Sequence, residues 1–378
     1  MEKKKNRAMP WKIVSAALAV ALIAVCCTWA FTANDNQAST NTNTSISEST
    51  APKADQTSTE LLSLWAKDAP LKTELTKYIK TITDKSSADF IPVESRIAVF
   101  DMDGTLCCET DPGYFDHKLL YYRVMEDPDY KDKASDEEKA TAAEIKEYFE
   151  TGKYPDDLSI KHGKAVASAF KGMTTDEFDA YVKKYRDTPM ESYSNMTNGQ
   201  AFYKPMLQVV EYLQDNDFTV YILSGTDRLI TRGLCDGTID IPLGNMIGSD
   251  ETLVATNQGD ENGLDYTFGH DDKLITGGEF IIKNLKMNKV GAIEREIGQQ
   301  PVLCFGNSSG DAAMANYTIT NNKYKSGAYL LCCDDLVREN GNLEKAAKMR
   351  SSCEENGWTA VSMKNDWTTI YGNDVSKK

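Results

Sequence analysis

The sequence predicts an α/β fold, a doubly wound parallel sheet carrying an inserted, mainly helical cap. Three observations predict it. The apolar runs at 218–223, 302–305 and 328–332 are continuous rather than alternating, as strands buried on both faces require. Amphipathic helical stretches alternate with these runs. A long helical stretch, 107–200, separates the first apolar strand, 96–100, from the next.

In chain order, Lys3, Lys4, Lys5, Arg7 and Lys12 precede an apolar stretch at 13–31, and the next basic residue is Lys53. That stretch is long enough to cross a bilayer, and the asymmetry of basic residues predicts a cytoplasmic N-terminus with the bulk of the chain outside. Residues 1–33 therefore read as a signal anchor. A cleaved secretory peptide or a lipid-modified Cys26 or Cys27 are the alternatives. Residues 34–59 are rich in Asn, Thr, Ser and Ala and read as a flexible tether. Leu61, Leu62, Leu64, Trp65, Leu71, Leu75, Tyr78 and Ile79 suggest helices broken near Pro70. The core is expected to comprise 60–106 and 201–378, with the cap at 107–200. Within the cap, Phe115, Leu119, Leu120, Tyr122, Val124 and Met125 form one apolar face, and 135–149 and 175–185 are further helices. Residues 206–214 form a helix. Residues 240–282 are Gly-rich and strand-like, with separate strands at 246–247, 252–255 and 280–282. A helix at 290–297 ends at Gly298.

The chain has 378 residues and a formal charge of −15. An acidic balance excludes nucleic acid or an anionic membrane surface as the main partner, and confines membrane contact to the N-terminal segment. It does not exclude a small phosphorylated substrate, because local charge and a bound cation decide that. None of the nine cysteines has Cys-x-x-Cys spacing, so no structural zinc site is expected. The seven cysteines outside the apolar segment are an odd number, which counts against an oxidising compartment. The charge asymmetry outweighs this.

Chemistry concentrates where strands end. Asp101 and Asp103 follow the first strand, one residue apart and directed to one side. Gly104 lets the backbone turn sharply. Two carboxylates this close call for a cation between them or a proton on one; an ordinary Asp-Gly turn is the plainer alternative. Ser224-Gly225-Thr226 follows the strand ending at Leu223. Gly306-Asn307-Ser308-Ser309-Gly310-Asp311 follows the strand ending at Phe305. In an open α/β sheet all three clusters converge if their strands are neighbours.

Asp101-Met-Asp103-Gly104-Thr105 resembles the Asp-x-Asp-Gly-Thr signature of the haloacid dehalogenase (HAD) superfamily of phosphohydrolases. The superfamily's other motifs follow in order over about residues 90–335. Ser224 matches the second motif, whose hydroxyl, with the backbone N–H of Gly225 and of the following helix start, binds a phosphoryl oxygen. Lys289 matches the third, a lysine opening a helix, with Lys286 in reserve over Lys283. Asn307 and Asp311 keep the spacing of the fourth, with Asn where the family usually has an acid; either one is left as the direct metal ligand. The resemblance implies a Mg²⁺-dependent phosphomonoesterase working through an aspartyl-phosphate. Asp101 is then the nucleophile and Asp103 the general acid and base. Lys289 neutralises charge. The Asp101 carboxylate, the Asp103 carbonyl, and Asn307 or Asp311 hold the metal. An acid at 103 favours phosphate esters over carbon–halogen bonds. The helical insert resembles the lid of the phosphoserine-phosphatase-like branch, with Glu109, Tyr114, Phe115, His117 and Arg123 placed to face a small substrate, Glu109 against a cationic group and Arg228 against an anionic one. A phosphotransferase using the same residues, or an inactive surface lipoprotein that only binds, are the competing functions.

Overall fold

The computed structural model describes residues 62–378; the expected anchor and tether lie outside the described residues. Seven strands form one sheet: β1 (Ile97–Phe100), β3 (Thr219–Asp227), β4 (Met246–Ala255), β5 (Leu274–Ile282), β6 (Leu303–Gly306), β7 (Gly327–Cys332) and β8 (Thr359–Ser362). Their order is β5-β4-β3-β1-β6-β7-β8. Every pairing is parallel except β4 with β5 at the edge. A short antiparallel pair, β2 (Tyr193–Ser194) with β9 (Ser376–Lys377), ties the end of the chain to the end of the cap.

The doubly wound expectation therefore holds, with one antiparallel edge strand. All four residues of β1 and of β6 are buried. Phe100 and Phe305 stack across these strands at 4.3 Å, and Phe305 stacks on Tyr329 of β7 at 5.2 Å. Each such pair adds about 0.5–1.5 kcal/mol beyond the area it buries. This ladder supports the carboxyl ends of β1 and β6, where the polar loops begin.

The cap is helical as expected: α2 (Phe115–Tyr121) with a π turn to Glu126, α3 (Asp136–Thr151), α4 (Leu158–Ala169) and α5 (Thr175–Arg186). Ser135 and Glu138 close a capping box on α3, and Thr174 and Glu177 another on α5; each cap is worth about 1 kcal/mol. The β5 edge strand meets the cap, where the Thr276 hydroxyl donates to the Phe170 carbonyl at 2.5 Å. Two segments depart from the reading of the sequence. No helix forms over 62–69; α1 (Pro70–Thr83) starts at its proline, because the Trp65 indole donates to the Pro205 carbonyl and the backbone of Trp65 bridges to Trp367. The separate strands expected within 246–282 are two long strands, β4 and β5, whose register shifts at Asp250 and Glu251. Among the described residues no helix is long and apolar enough to cross a membrane.

Candidate active site

The three polar clusters meet. Because β1 lies between β3 and β6, the segments after Phe100, Leu223 and Phe305 end side by side. Lys289, on α8 (Met287–Ala292), is fully buried and joins two of them: its Nζ lies 2.6 Å from Asp101 Oδ1 and 2.7 Å from Asp311 Oδ1. Lys286 is exposed. Lys283 is buried without a carboxylate inside ion-pair distance.

Asp103 ties the first cluster to the second. The Thr226 hydroxyl donates to its Oδ2 at 2.8 Å and the Ser224 hydroxyl at 3.4 Å. Burial first, and then the nearby Asp116, pushes the Asp103 carboxyl up to about 7, against the pull of Thr226, Lys283 and Lys289. Asp103 thus can carry a proton near neutral pH. Burial first, and then Asp311, pushes the Asp101 carboxyl up to about 7 as well, against the pull of Lys289; what sets it apart from Asp103 is the ammonium at 2.6 Å, an ion pair that favours its charged form.

The strand expected to stop at Leu223 continues to Asp227. Ser224 and Thr226 therefore lie on one strand two residues apart, on one face, and this period-2 pair of hydroxyls was the signal for Thr226 that the motif reading passed over. Ser224 Oγ also accepts from the Thr226 N–H at 3.0 Å. At Gly225 a Cβ would come within 2.6 Å of the Leu285 Cδ2 methyl, so a larger residue there would have to displace that side chain. The helix after this strand, α7 (Arg228–Cys235), starts at Arg228. Asp227 caps it by accepting from the N–H groups of Leu229 and Ile230, so these N–H groups are engaged within the chain rather than directed to a ligand.

Asn307 and Asp311 differ in what they leave free. Asp311 Oδ1 accepts from Lys289, and its Oδ2 accepts from the N–H groups of Asn307 and Ser308 and from the Ser308 hydroxyl at 3.0–3.1 Å. Asn307 donates its amide N–H to Glu109 Oε1 at 2.9 Å, and its buried Oδ1 has no hydrogen-bond partner. It lies against Gly104 (φ +75°), where a Cβ would come within 1.9 Å of Asn307 Nδ2. The donor set beside Asp101 is thus all oxygen, with one amide oxygen unsatisfied, which fits a hard divalent cation.

Of the other residues expected at the mouth, Glu109 and Tyr114 line a cleft of about 710 Å³ that also exposes Asn307 and Ser308. Burial, ahead of its other neighbours, pushes the Glu109 carboxyl up to about 8. Phe115 packs on Tyr185 inside the cap. Arg123 is paired to Asp127 at 2.9 Å and lies 4.0 Å over the Tyr130 ring. Arg228 forks onto Asp250 and Glu296. Both arginines are therefore committed within the chain, and Arg228 does not serve the anionic group expected of it. His117 donates or accepts at Asp116 (2.6 Å) and stacks on His162 at 4.0 Å. Asp116, His117 and His162 bring potential ligand atoms within 4.8 Å. Their two imidazole planes are 5° from parallel, so in-plane lone pairs do not converge on one ion. Sequence reasoning also missed Glu339, a fully buried carboxylate accepting from Thr110 and Tyr193 at 2.5 Å and from Tyr371. It fixes the segment that follows the site, and its partners are too distant in sequence to suggest it.

A family model of haloacid dehalogenase-like hydrolases matches residues 98–316. No curated protein matches the sequence. Among solved structures, the chain is similar to a conserved functionally unknown protein from Anaerococcus prevotii DSM 20548, at 16% identity over 77% of this chain and 91% of that one, with TM-score 0.47. It is similar to cytosolic 5′-nucleotidase IIIB at 12% identity over 78% and 87%, TM-score 0.43. A phosphoserine phosphohydrolase-like protein from Francisella tularensis subsp. tularensis SCHU S4 is similar at 14% identity over 67% and 92%, TM-score 0.37. The family match spans more than half of the chain and includes Asp101, Asp103, Ser224, Lys289, Asn307 and Asp311; the chain belongs to the haloacid dehalogenase-like hydrolases.

Proposed function

We propose that the chain is a Mg²⁺-dependent phosphomonoesterase for a small phosphorylated metabolite, with an aspartyl-phosphate intermediate on Asp101. One observation carries the reading: a buried, lysine-paired carboxylate lies two residues from a second carboxylate held by hydroxyls instead of an ammonium. A nucleophile and a proton donor of this kind are what ester cleavage with a poor leaving group needs.

The Asp101 carboxylate attacks phosphorus while Lys289 offsets charge on the phosphoryl oxygens. Asp103, oriented by Thr226 and Ser224, gives its proton to the leaving alkoxide. The same carboxylate then takes a proton from the water that attacks the aspartyl-phosphate. Asp311 holds Lys289 and the 307–308 backbone in place. Asp101, the Asp103 carbonyl and Asn307 would hold the metal, which when bound supplies charge neutralisation to the phosphoryl oxygens. Both aspartates are 7% exposed, so water enters sparingly.

The test is turnover of p-nitrophenyl phosphate by the full chain in detergent, with Mg²⁺. Turnover should disappear with EDTA, return with Mg²⁺ and be absent in Asp101→Asn. Asp103→Asn should lose far more activity toward alkyl phosphates than toward p-nitrophenyl phosphate, whose leaving group needs little proton help. Absence of turnover for every phosphomonoester supplied with metal defeats the proposal. The basic–apolar N-terminal segment is proposed to anchor the domain on the extracytoplasmic face, and protease accessibility of residues 62–378 in intact cells checks that.

A further inference from the structure

The cap contains two groupings of aromatic rings beside a carboxylate. In the first, Arg123 lies 4.0 Å from the Tyr130 ring centroid, 5.0 Å from that of Tyr181 and 5.2 Å from that of Phe170, and pairs with Asp127 at 2.9 Å. The chain supplies its own cation there. In the second, Tyr114 and Tyr148 lie 6.5 Å apart with planes 24° from parallel, and Tyr154 stands edge-on to them at 6.2 and 5.1 Å. Glu109 is the carboxylate. No Lys or Arg of the described residues lies over these three rings, and none is within 4.0 Å of Glu109. Lys345 and Lys348 line the same cleft, and Lys345 acts on Glu109 only at longer range than an ion pair.

The second grouping is positioned by packing. At Gly113 a Cβ would come within 2.8–2.9 Å of the Phe149 and Tyr148 rings, so only glycine lets them pack there. It also reaches the loop beside the reacting groups. Tyr114, Tyr148 and Glu109 line the cleft together with Asn307 and Ser308, and Glu109 accepts the Asn307 amide at 2.9 Å. Asn307 lies against Gly104, the residue after Asp103, so an ester with its phosphorus at Asp101 has these rings on the Asn307 side of the site.

Aromatic faces attract a diffuse cation, and a methylated ammonium, with no N–H to satisfy, gains most from several faces at once. Glu109 adds Coulomb attraction without needing a hydrogen bond, because a cation bound beside it favours its ionised form over the protonated form that burial favours. We infer that this cleft selects phosphomonoesters whose alcohol carries a methylated ammonium group, held against Tyr114 and Tyr148, on which Tyr154 packs, with Glu109 as counter-ion. The inference rests on the phosphatase reading for its catalytic arm and on the aromatic wall for its binding arm.

Two measurements on the full chain test it. The first is kcat/KM for phosphocholine relative to 3,3-dimethylbutyl phosphate, in which a carbon replaces the nitrogen. The wild type should prefer phosphocholine at least about tenfold, and the ratio should fall toward one in Tyr148→Leu and in Glu109→Gln, whatever their absolute rates. The second is calorimetric titration with choline chloride and with 3,3-dimethylbutanol. Choline should bind at least about tenfold more tightly in the wild type and lose that advantage in Tyr148→Leu, with circular dichroism melts verifying that the variants fold. Equal kcat/KM for the two esters beside good p-nitrophenyl phosphate turnover overturns the inference and leaves the phosphatase reading standing. Selective choline binding with no turnover of any ester defeats the phosphatase reading and retains the cation site. Equal affinity for choline and dimethylbutanol overturns the inference whatever the turnover.

Discussion

Lys289→Met removes one ammonium and keeps most of the side-chain volume, so it isolates charge from packing. In the wild type that ammonium is fully buried, 2.6 Å from Asp101 and 2.7 Å from Asp311, whose side chains are 9% and 1% exposed. Breaking a buried ion pair by removing one partner costs about 3–5 kcal/mol, because the remaining charge is left uncompensated. Here the remaining charges are two carboxylates, with Asp103 as a third close by. The carboxylates can recover part of the loss by binding protons, which raises their folded-state pKa above the unfolded value. A raised carboxyl pKa means the folded chain binds more protons than the unfolded one, so the variant's stability falls as pH rises. The deficit should therefore be largest at pH 8 and smaller at pH 5.5. At pH 8 a loss of this size lowers Tm by about 6–10 °C for a domain of this length. Turnover should drop by about 10²–10³-fold, as expected when a group that stabilises transition-state charge is removed. Urea titrations at the two pH values and p-nitrophenyl phosphate kinetics read both effects. Adding Asp101→Asn to Lys289→Met removes one stranded carboxylate and should restore more than about 1 kcal/mol of stability at pH 8, though not activity. A Lys289→Met chain as stable as wild type at pH 8, or a double variant no more stable than the single one, refutes the reasoning.

Gly104→Ala puts a Cβ at φ +75° and 1.9 Å from the Asn307 amide. It should cost about 1–3 kcal/mol in a thermal melt and most of the activity, because Asn307 must move. Thr226→Val removes the 2.8 Å hydrogen bond to Asp103; kcat should fall about tenfold or more toward alkyl phosphates and less toward p-nitrophenyl phosphate. Glu251 is 7% exposed, has neither carboxylate oxygen hydrogen-bonded, and is pushed up to about 9 by burial and then by Asp227 and Asp250. Its folded pKa is raised, so stability is lost as pH climbs from the unfolded value toward 9. Glu251→Gln should match wild type near pH 4 and exceed it at pH 8 by on the order of a few kcal/mol, measured by urea unfolding.

What the sequence made legible was what short-range rules govern. β1, β6 and β7 were readable because strands buried on both faces leave unbroken apolar runs. The helix at 135–149 was readable because its charged, Ala-rich run is made of strong helix formers. The third motif came down to three lysines, and burial separates them: Lys289 bonds both Asp101 and Asp311, while Lys286 is exposed. What stayed hidden depends on distant partners. β4 and β5 looked like fragments because Asp250 and Glu251 interrupt the apolar pattern, and Asp250 is accommodated by Arg228 from another element. The loop at 62–69 keeps a helical pattern but is held instead by Pro205 and Trp367, each more than 130 residues away. Glu339 is ordered by Thr110, Tyr193 and Tyr371, a constellation that no local pattern announces.

The departure at Asn307 has a physical reading in the charge balance of the site. Asp101, Asp103, Glu109 and Asp311 face one bonded lysine, Lys289. Four carboxyl groups against one ammonium leave an excess of negative charge wherever most of them are ionised, which a divalent cation offsets. An aspartate at 307 would add another negative charge 2.9 Å from Glu109, in a pocket where every carboxyl already pays for its burial. An amide at that position does two things an acid cannot do together. It donates to Glu109, holding that carboxylate at the mouth of the cleft, and it keeps a neutral buried oxygen with no other partner. The position that departs from the family pattern is therefore the one that, in the proposed reaction, links the loop of Asp101 and Asp103 to Glu109 in the cleft.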